Sequence, residues 1–75
     1  MSYPRKGSVV HYWTHRLANG GDSELVSYAA IVTDVRSDGT VDLTAFPPGA
    51  PPVVFQEVAH GTEPKYGRWT RAEAP

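Results

Sequence analysis

The sequence predicts an all-β domain. Runs rich in β-branched and aromatic residues recur at short spacing, and clusters of Gly, Pro, Asn and Asp separate them. The apolar residues follow no sustained helical period. Four to five short strands with close turns fit a small SH3-like barrel or a curled antiparallel sheet, and an OB-like barrel or an open meander are the alternatives. Seventy-five residues make one small β domain, residues 1–75, with an N-terminal arm at 1–6 and a tail at 72–75.

The central element is predicted to be a β-hairpin of residues 28–36 and 40–46 around a turn at 37–39. A three-residue loop combines a type I turn with a left-handed residue, and Gly39 adopts that conformation without steric cost. A two-residue turn would shift the pairing and bring other side chains to the core, so we favour the three-residue loop. The favoured register pairs Val35 with Val41, Thr33 with Leu43 and Ile31 with Ala45.

The first strand is predicted at residues 7–15, and large apolar side chains occupy both of its faces. The two sets are Val9 with Trp13 and Val10 with Tyr12. Two apolar faces are typical of a strand that is central or packed on both sides. A polar loop is predicted at residues 16–27. We expect this loop to be mobile and functional, since long loops are uncommon in compact domains.

The segment 47–52 is predicted to leave the sheet. Four of its six residues are proline, and proline cannot donate to a strand ladder. A stiff hairpin tip is the interpretation that we favour. The alternative is a proline-rich ligand for an aromatic groove on another protein.

Two further strands are predicted at residues 53–58 and 68–71. Phe55 and Val58 cannot share a face in a regular strand, because side chains alternate with a period of two. A β-bulge at residues 56–57 would bring both side chains inward.

Composition excludes several function classes. The chain has no cysteine, so it has neither a disulfide framework nor a cysteine-based zinc site. Seven basic and eight acidic residues give a formal net charge of −1, which provides no general attraction to nucleic acid or to an anionic membrane. No apolar run approaches the roughly 20 residues of a membrane span, and we expect no signal peptide.

A chain this short buries about 60% of its unfolded surface, so we expect stability from packing, with homo-oligomerisation as a further source.

The three histidines do not predict a metal site. His11 and His15 lie four residues apart, which on a strand is about 13 Å. Ligand atoms lie about 2 Å from a zinc ion, so these two side chains cannot share one, and His60 could approach only one of them. We therefore expect no metal and no cofactor.

The sequence contains no recognisable enzyme motif. Nucleophilic catalysis needs a hydroxyl, a base and an orienting group that converge in space. These residue types occur at Ser8, Ser27, His11 and Asp34, but their spacing matches no known motif. No glycine-rich phosphate loop leads into a helix. We expect a protein that is not an enzyme and has no catalytic residues.

The favoured hairpin register places Asp34 opposite Asp42 on the outer face. Directly opposed like charges destabilise a strand pair. Water, a turn donor or the guanidinium of Arg36 would relieve this repulsion. The alternative is an acidic spot that meets a basic group on a partner.

Aromatic residues give the best indication of a binding surface. Seven of them between Tyr12 and Trp69 are many for so small a core, and Trp and Tyr commonly anchor interfaces. The first and last strands of small barrels often lie close, which would gather basic residues from both ends of the chain. An arginine beside an exposed ring can stack and can bind carboxylates. The predicted binding residues are Arg5, Lys6, Trp13, Arg68, Trp69 and Arg71. The alternative for Trp69 is a plug at the end of the barrel.

Four short segments resemble small uncharacterised proteins of tailed bacteriophages and prophages. They are His11-Tyr12-Trp13 and residues 29–35, 38–43 and 58–61, and the similarity covers most of residues 5–70. The resemblance implies a phage-encoded viral protein in the bacterial host cytoplasm or in the virion. It brings no established activity and no catalytic residue.

Together these observations predict a non-enzymatic protein-interaction module, either a virion component or a binder of a host factor. The expected partner is a phage or host protein, and no membrane partner is expected. The alternative is a nucleic-acid-binding small β-barrel, since OB and SH3-like barrels bind strands with a sheet face or with loops. The net charge near zero argues against nucleic acid, and the aromatic residues argue mildly for it.

Overall fold

Five β-strands make up the regular structure of the protein. The computed structural model describes residues 4–17 and 21–72. The strands are β1 (Val9–Leu17), β2 (Ser23–Val35), β3 (Val41–Phe46), β4 (Val53–His60) and β5 (Arg68–Arg71). No helix occurs in the described residues, and the predicted all-β class is confirmed. Accordingly, nothing in these two ranges forms a helix long and apolar enough to cross a membrane.

The strands close into a small barrel of the SH3-like kind. β1 to β4 follow one another as an antiparallel meander. β5 then pairs antiparallel with β1 and parallel with β4, and this second pairing closes the sheet. The predicted small barrel is therefore confirmed, and the alternative of an open meander is excluded. The first and last strands lie side by side, as predicted.

The core lies inside the barrel and receives side chains from all five strands. The rings of Tyr12 and Phe55 stack there with centroids 4.3 Å apart and planes at 24°. No polar or charged residue of the described ranges is buried, so burial of apolar surface is the main stabilising term. The buried residues are Val10, Tyr12, Ala30, Val32, Val41, Leu43, Ala45, Val58 and Trp69.

The loop of the central hairpin is the predicted one. Gly39 has a φ of 92°, and its N–H donates to the C=O of Arg36 at 3.0 Å. The N–H of Arg36 in turn donates to the C=O of Thr40 at 2.8 Å, which leaves three residues in the loop. Val35 faces Val41, as predicted.

The predicted register holds for Val35 with Val41 and for Asp34 with Asp42. Beyond these pairs it is wrong, because Thr33 bulges out of β2. The observed pairs are Val32 with Leu43 and Ala30 with Ala45, in place of Thr33 with Leu43 and Ile31 with Ala45. An extra residue in one strand moves all later side chains to the other face. The bulge thereby turns Val32 and Ala30 into the core and leaves the Thr33 hydroxyl exposed.

The predicted bulge in β4 is confirmed. Val58 pairs with Val41 and Phe55 pairs with Leu43, so three steps along β4 match two steps along β3. Glu57 takes up the extra length with a positive φ of 54°. As a result Val58 is buried and Phe55 packs against the core.

The polar loop predicted at residues 16–27 is wrong for most of its length. β1 continues to Leu17 and β2 already begins at Ser23, so the two strands form a long hairpin. Its arms pair through backbone hydrogen bonds, which impose no apolar pattern on the side chains. Residues 18–20, for which mobility was also expected, lie outside the described residues.

The boundaries of the segment 47–52, β4 and β5 agree closely with the predicted ones. The segment 47–52 leaves the sheet, and the N–H of Ala50 closes a turn by donating to the C=O of Pro47 at 3.2 Å. Gly49 in that turn has a φ of 72°. β4 runs to His60, two residues beyond its predicted end, and β5 has its predicted bounds.

Candidate functional site

The basic residues predicted to bind do not gather into one patch. Arg68 and Arg71 lie three positions apart on β5, so their side chains leave opposite sides of the strand. Arg5 lies in the turn that precedes β1. Lys6 belongs to the same turn, and its Nζ lies 3.9 Å from Oδ1 of Asp34 at the far end of β2. The first and last strands meet, but the side chains of Arg68 and Arg71 diverge and Lys6 lies beside Asp34.

Trp69 is a core residue. It is only 2% exposed, and it pairs with Tyr12 of β1 on one side and with His60 of β4 on the other. The centroids of the His60 and Trp69 rings are 4.5 Å apart. Trp69 is therefore the plug of the barrel, and it does not serve as an exposed anchor.

Trp13 and Arg71, in contrast, line an open groove of about 1070 Å³ on the outside of the barrel. One side of this groove is the sheet, with Ser27 of β2 and Thr70 of β5, and the other side is the segment 60–64. Nε1 of Trp13 donates a hydrogen bond to Oγ1 of Thr70 at 2.8 Å. The indole is half-buried and is held against β5 by this bond, so it is pre-positioned for contact.

A row of mostly apolar side chains crosses the outside of the sheet. Val9 pairs with Ile31, Ile31 with Thr44, and Thr44 with Val54, so four neighbouring strands each contribute one side chain. Val9, Ile31 and Val54 are 54%, 39% and 66% exposed. These side chains point away from the core, because their neighbours in sequence point into it.

A second row links the first one to the groove. His11 pairs with Thr70 on one side and with Ala29 on the other, and Ala29 pairs with Phe46. Phe46 is 42% exposed, and the ring of His11 lies 6.4 Å from that of Trp13. We call the two rows together with Trp13 the outer face. None of its residues is Asp, Glu, Lys or Arg.

No family model, curated protein or solved structure matches this chain. The SH3-like class therefore rests on the strand order and the closure described above. The resemblance to phage proteins stays a prediction.

Charged side chains border the outer face at one end. Asp34 and Asp42 face each other, as predicted. Nε and one terminal nitrogen of Arg36 donate to the two carboxylate oxygens of Asp42 at 2.8 and 3.2 Å. The Asp34 carboxylate accepts the N–H of Val35 at 3.0 Å and has Lys6 nearby. Arg36 is therefore one of the groups that offset the repulsion, and the opposed carboxylates are part of a paired cluster.

The Asp42 carboxylate also holds the bulge of β4. It accepts the N–H of Glu57 at 3.1 Å, at the residue whose φ is positive. The hydrogen bonds from Arg36, and next the one from Glu57, lower the pKa of Asp42. The same contact raises the pKa of Arg36. One side chain on β3 thus stabilises a backbone conformation that residues other than glycine adopt at a cost.

We expect Asp42→Asn to lower the midpoint of thermal unfolding at neutral pH by more than Asp34→Asn does. A carboxyl group whose pKa is lower in the folded state stabilises that state above its unfolded pKa, and the contribution is lost as the pH falls through the folded pKa. The difference between wild type and Asp42→Asn should therefore shrink as the pH falls below about 3.9, the ordinary pKa of an Asp side chain. Melting curves from pH 7 to pH 2 measure this. A difference that stays constant over the range would contradict the role of the Asp42 charge.

The histidines are all found beside aromatic rings. His15 lies 4.8 Å from the ring of Tyr66, and His11 and His60 contact the two tryptophans. In residues 4–17 and 21–72, no three side chains of His, Asp or Glu come close enough to hold one ion. The absence of a metal stays a prediction.

The residue types of a catalytic triad do not converge either. His11 and Ser27 both line the groove, whereas Asp34 lies at the charged end of the sheet beside Lys6. The Ser8 hydroxyl accepts the N–H of Arg5 at 3.0 Å, so it closes the turn before β1. These four residues therefore do not form a triad in the described structure.

Proposed function

We propose that this protein is a non-enzymatic interaction module that binds a protein partner through the outer face and the groove beside Trp13. The observation that carries the proposal is the row across β1 to β4, in which Val9, Ile31 and Val54 are apolar and exposed. Interfaces commonly have an apolar centre and a polar rim, and contiguous exposed apolar surface often marks them. Here the charged cluster around Asp42 borders one end, and Arg71 and Glu63 line the groove.

The side chains of this surface indicate which chemical groups a complementary partner would present. A complementary surface would present apolar or aromatic side chains to the two rows, where a buried charge would find no counter-charge. In the groove beside Trp13 it would present polar groups, because Ser27 and Glu63 line that part of the site. A phage or host protein in the bacterial cytoplasm or in the virion is the partner that we propose.

A nucleic-acid-binding barrel is the second candidate, and one observation favours it. Trp13 and Arg71 both line the groove, and an indole can hold a stacked base. The two rows, however, contain neither Lys nor Arg. A strand that crossed them would leave its phosphates without partners.

Salt dependence separates the two candidates. The full chain is immobilised, a partner is captured from a nuclease-treated and from an untreated bacterial lysate, and the purified pair is measured at two salt concentrations. We expect a protein whose affinity changes by less than about tenfold between about 50 and 200 mM salt, whereas several phosphate contacts would cost about a thousandfold or more. Capture that is lost on nuclease treatment, or a steep loss of affinity with salt, would contradict the proposal.

A further inference from the structure

The hairpin of β1 and β2 extends past the barrel as a two-stranded ribbon. β1 pairs with β5 only at Val10, His11 and Tyr12, and β2 pairs with β3 only from Ala29 onward. The pairing of β1 with β2 continues to the end of β1. Residues 14–17 and 23–28 therefore have no third strand beside them in the described structure. Two strands alone are marginally stable in water.

The two edges of this ribbon differ. On the β1 side, the N–H of Gly67 donates to the C=O of Trp13 at 2.9 Å, and the ring of Tyr66 lies against His15. On the β2 side, β3 ends at Phe46 and the proline-rich segment leaves the sheet. The open edge is therefore that of β2.

Hydrogen bonds at the other end of β2 show which backbone groups this edge presents. The N–H of Val32 donates to the C=O of Ser8 at 2.9 Å, and the C=O of Val32 accepts the N–H of Gly7 at 2.7 Å. Even-numbered residues from 32 back to 24 thus direct these groups toward β1, because the direction alternates along a strand. Ser23, Leu25 and Ser27 direct their N–H and C=O groups away from β1.

The sequence of this edge lacks the usual protection against pairing. Exposed edges are commonly blocked by proline, by lysine or by an inward-pointing charge. Residues 23–27 contain neither proline nor lysine, and the carboxylate of Glu24 accepts a hydrogen bond from Nε of Arg16 at 2.9 Å. Leu25, in the middle of the edge, is 39% exposed.

We propose that residues 23–27 of β2 pair antiparallel with the same residues of a second copy of this chain. A two-fold axis at Leu25 places Leu25 opposite Leu25 and Ser23 opposite Ser27, and all of these residues direct their backbone groups to the edge. Glu24 falls opposite Val26, so no like charges are opposed. One such pairing converts two marginal ribbons into a four-stranded sheet. This surface is separate from the two rows of the outer face and does not depend on the proposed function.

The test uses the full wild-type chain over a range of concentrations up to about 1 mM. Sedimentation equilibrium should show the mass rising from 8.2 kDa toward twice that value. Amide hydrogen exchange should show protection of Ser23, Leu25 and Ser27 rising about tenfold or more with concentration, while that of Glu24 and Val26 changes little. A single-chain mass at every concentration would overturn the proposal. A dimer whose new protection lies elsewhere, or an edge that only another protein's segment protects, would also overturn it.

A matched pair of variants isolates the backbone contribution. Leu25→Pro removes an N–H for which residues 4–17 and 21–72 show no acceptor, and proline is tolerated where an edge N–H faces solvent. We expect this variant to stay monomeric and Leu25→Ala, which keeps the N–H, to dimerise. If Leu25→Pro dimerised as well as wild type, the edge would not be the interface. If Leu25→Pro lost the core protection of Val32 and Leu43, the wild-type exchange experiment would decide alone.

Discussion

Trp69→Ala is expected to remove most of the stability of the fold. The side chain comes from the closing strand β5 and fills the space between β1 and β4, where it is almost fully buried. Truncation of a buried Trp to Ala costs about 3–5 kcal/mol in lost burial and cavity formation. A domain of 75 residues has about 4–11 kcal/mol in total, at roughly 0.05–0.15 kcal/mol per residue. The variant should therefore be largely unfolded or close to it at 25 °C.

Urea denaturation followed by far-UV circular dichroism measures this effect. Tyr66→Ala is the matched control, because it truncates an aromatic ring that is 60% exposed. Substitutions at such a site change the free energy of unfolding by about 0.5 kcal/mol or less. A Trp69→Ala variant within about 1 kcal/mol of wild type would show that Trp69 does not close the core.

Trp13→Ala is expected to have the largest effect on binding. The indole lies where the outer face meets the groove, and its bond to Thr70 holds it in one orientation. An aromatic anchor that is ordered before binding loses little conformational freedom in the complex. Truncation of such a hot-spot residue costs about 2 kcal/mol or more, which is about a thirtyfold loss of affinity for the captured partner.

Two controls make the Trp13 result specific. Thr70→Val removes the hydroxyl that accepts the indole N–H and keeps the ring, so its effect on affinity should be smaller. Exchange protection of the buried strands must match that of wild type in both variants, because half-buried Trp13 also contributes to packing. A folded Trp13→Ala variant that binds with wild-type affinity would remove Trp13 from the site.

The fold was predictable where local chemistry decides. The three-residue loop requires a left-handed residue, and Gly39 is the residue that adopts this conformation. The spacing of Phe55 and Val58 required a bulge in β4. The bulge at Thr33 was not predictable from the hairpin alone. Both sets of alternate residues in this part of β2 are rich in apolar side chains, and only the packing of the closed barrel selects Ala30 and Val32 for the core.

The proposed binding surface was only partly predictable, since it depends on tertiary contacts. The two apolar faces of the first strand predicted a central strand, and β1 does lie between β2 and β5, but Val9 on its outer side is 54% exposed. The rows that continue through Ile31 and Val54 depend on two bulges and so on the final register. The alternation of β5 buries Trp69, and the same alternation separates Arg68 from Arg71. A patch inferred from proximity in sequence could not reveal this.

The extension of β1 and β2 beyond the barrel was not predicted, because its side chains do not show a strand pattern. Residues 16–27 are polar and include two glycines, which is typical of a loop. Pairing of its arms relies on backbone hydrogen bonds, and such bonds leave little trace in the choice of side chains. The signal that could have been used is the set of alternate residues Ser23, Leu25 and Ser27, which is compatible with an edge strand.

The central claim, that the outer face is the interaction surface, is tested most directly by cross-saturation transfer from the captured partner to methyl-labelled protein. Val53 and Val54 provide an internal comparison. They are neighbours in β4 and are 41% and 66% exposed, but Val54 belongs to the outer face and Val53 pairs with the inward-facing Ala45. The account predicts strong transfer to the methyl groups of Val9, Ile31 and Val54 and weak transfer to those of Val53. Transfer that spares these three residues and appears at Val53 or elsewhere would contradict it.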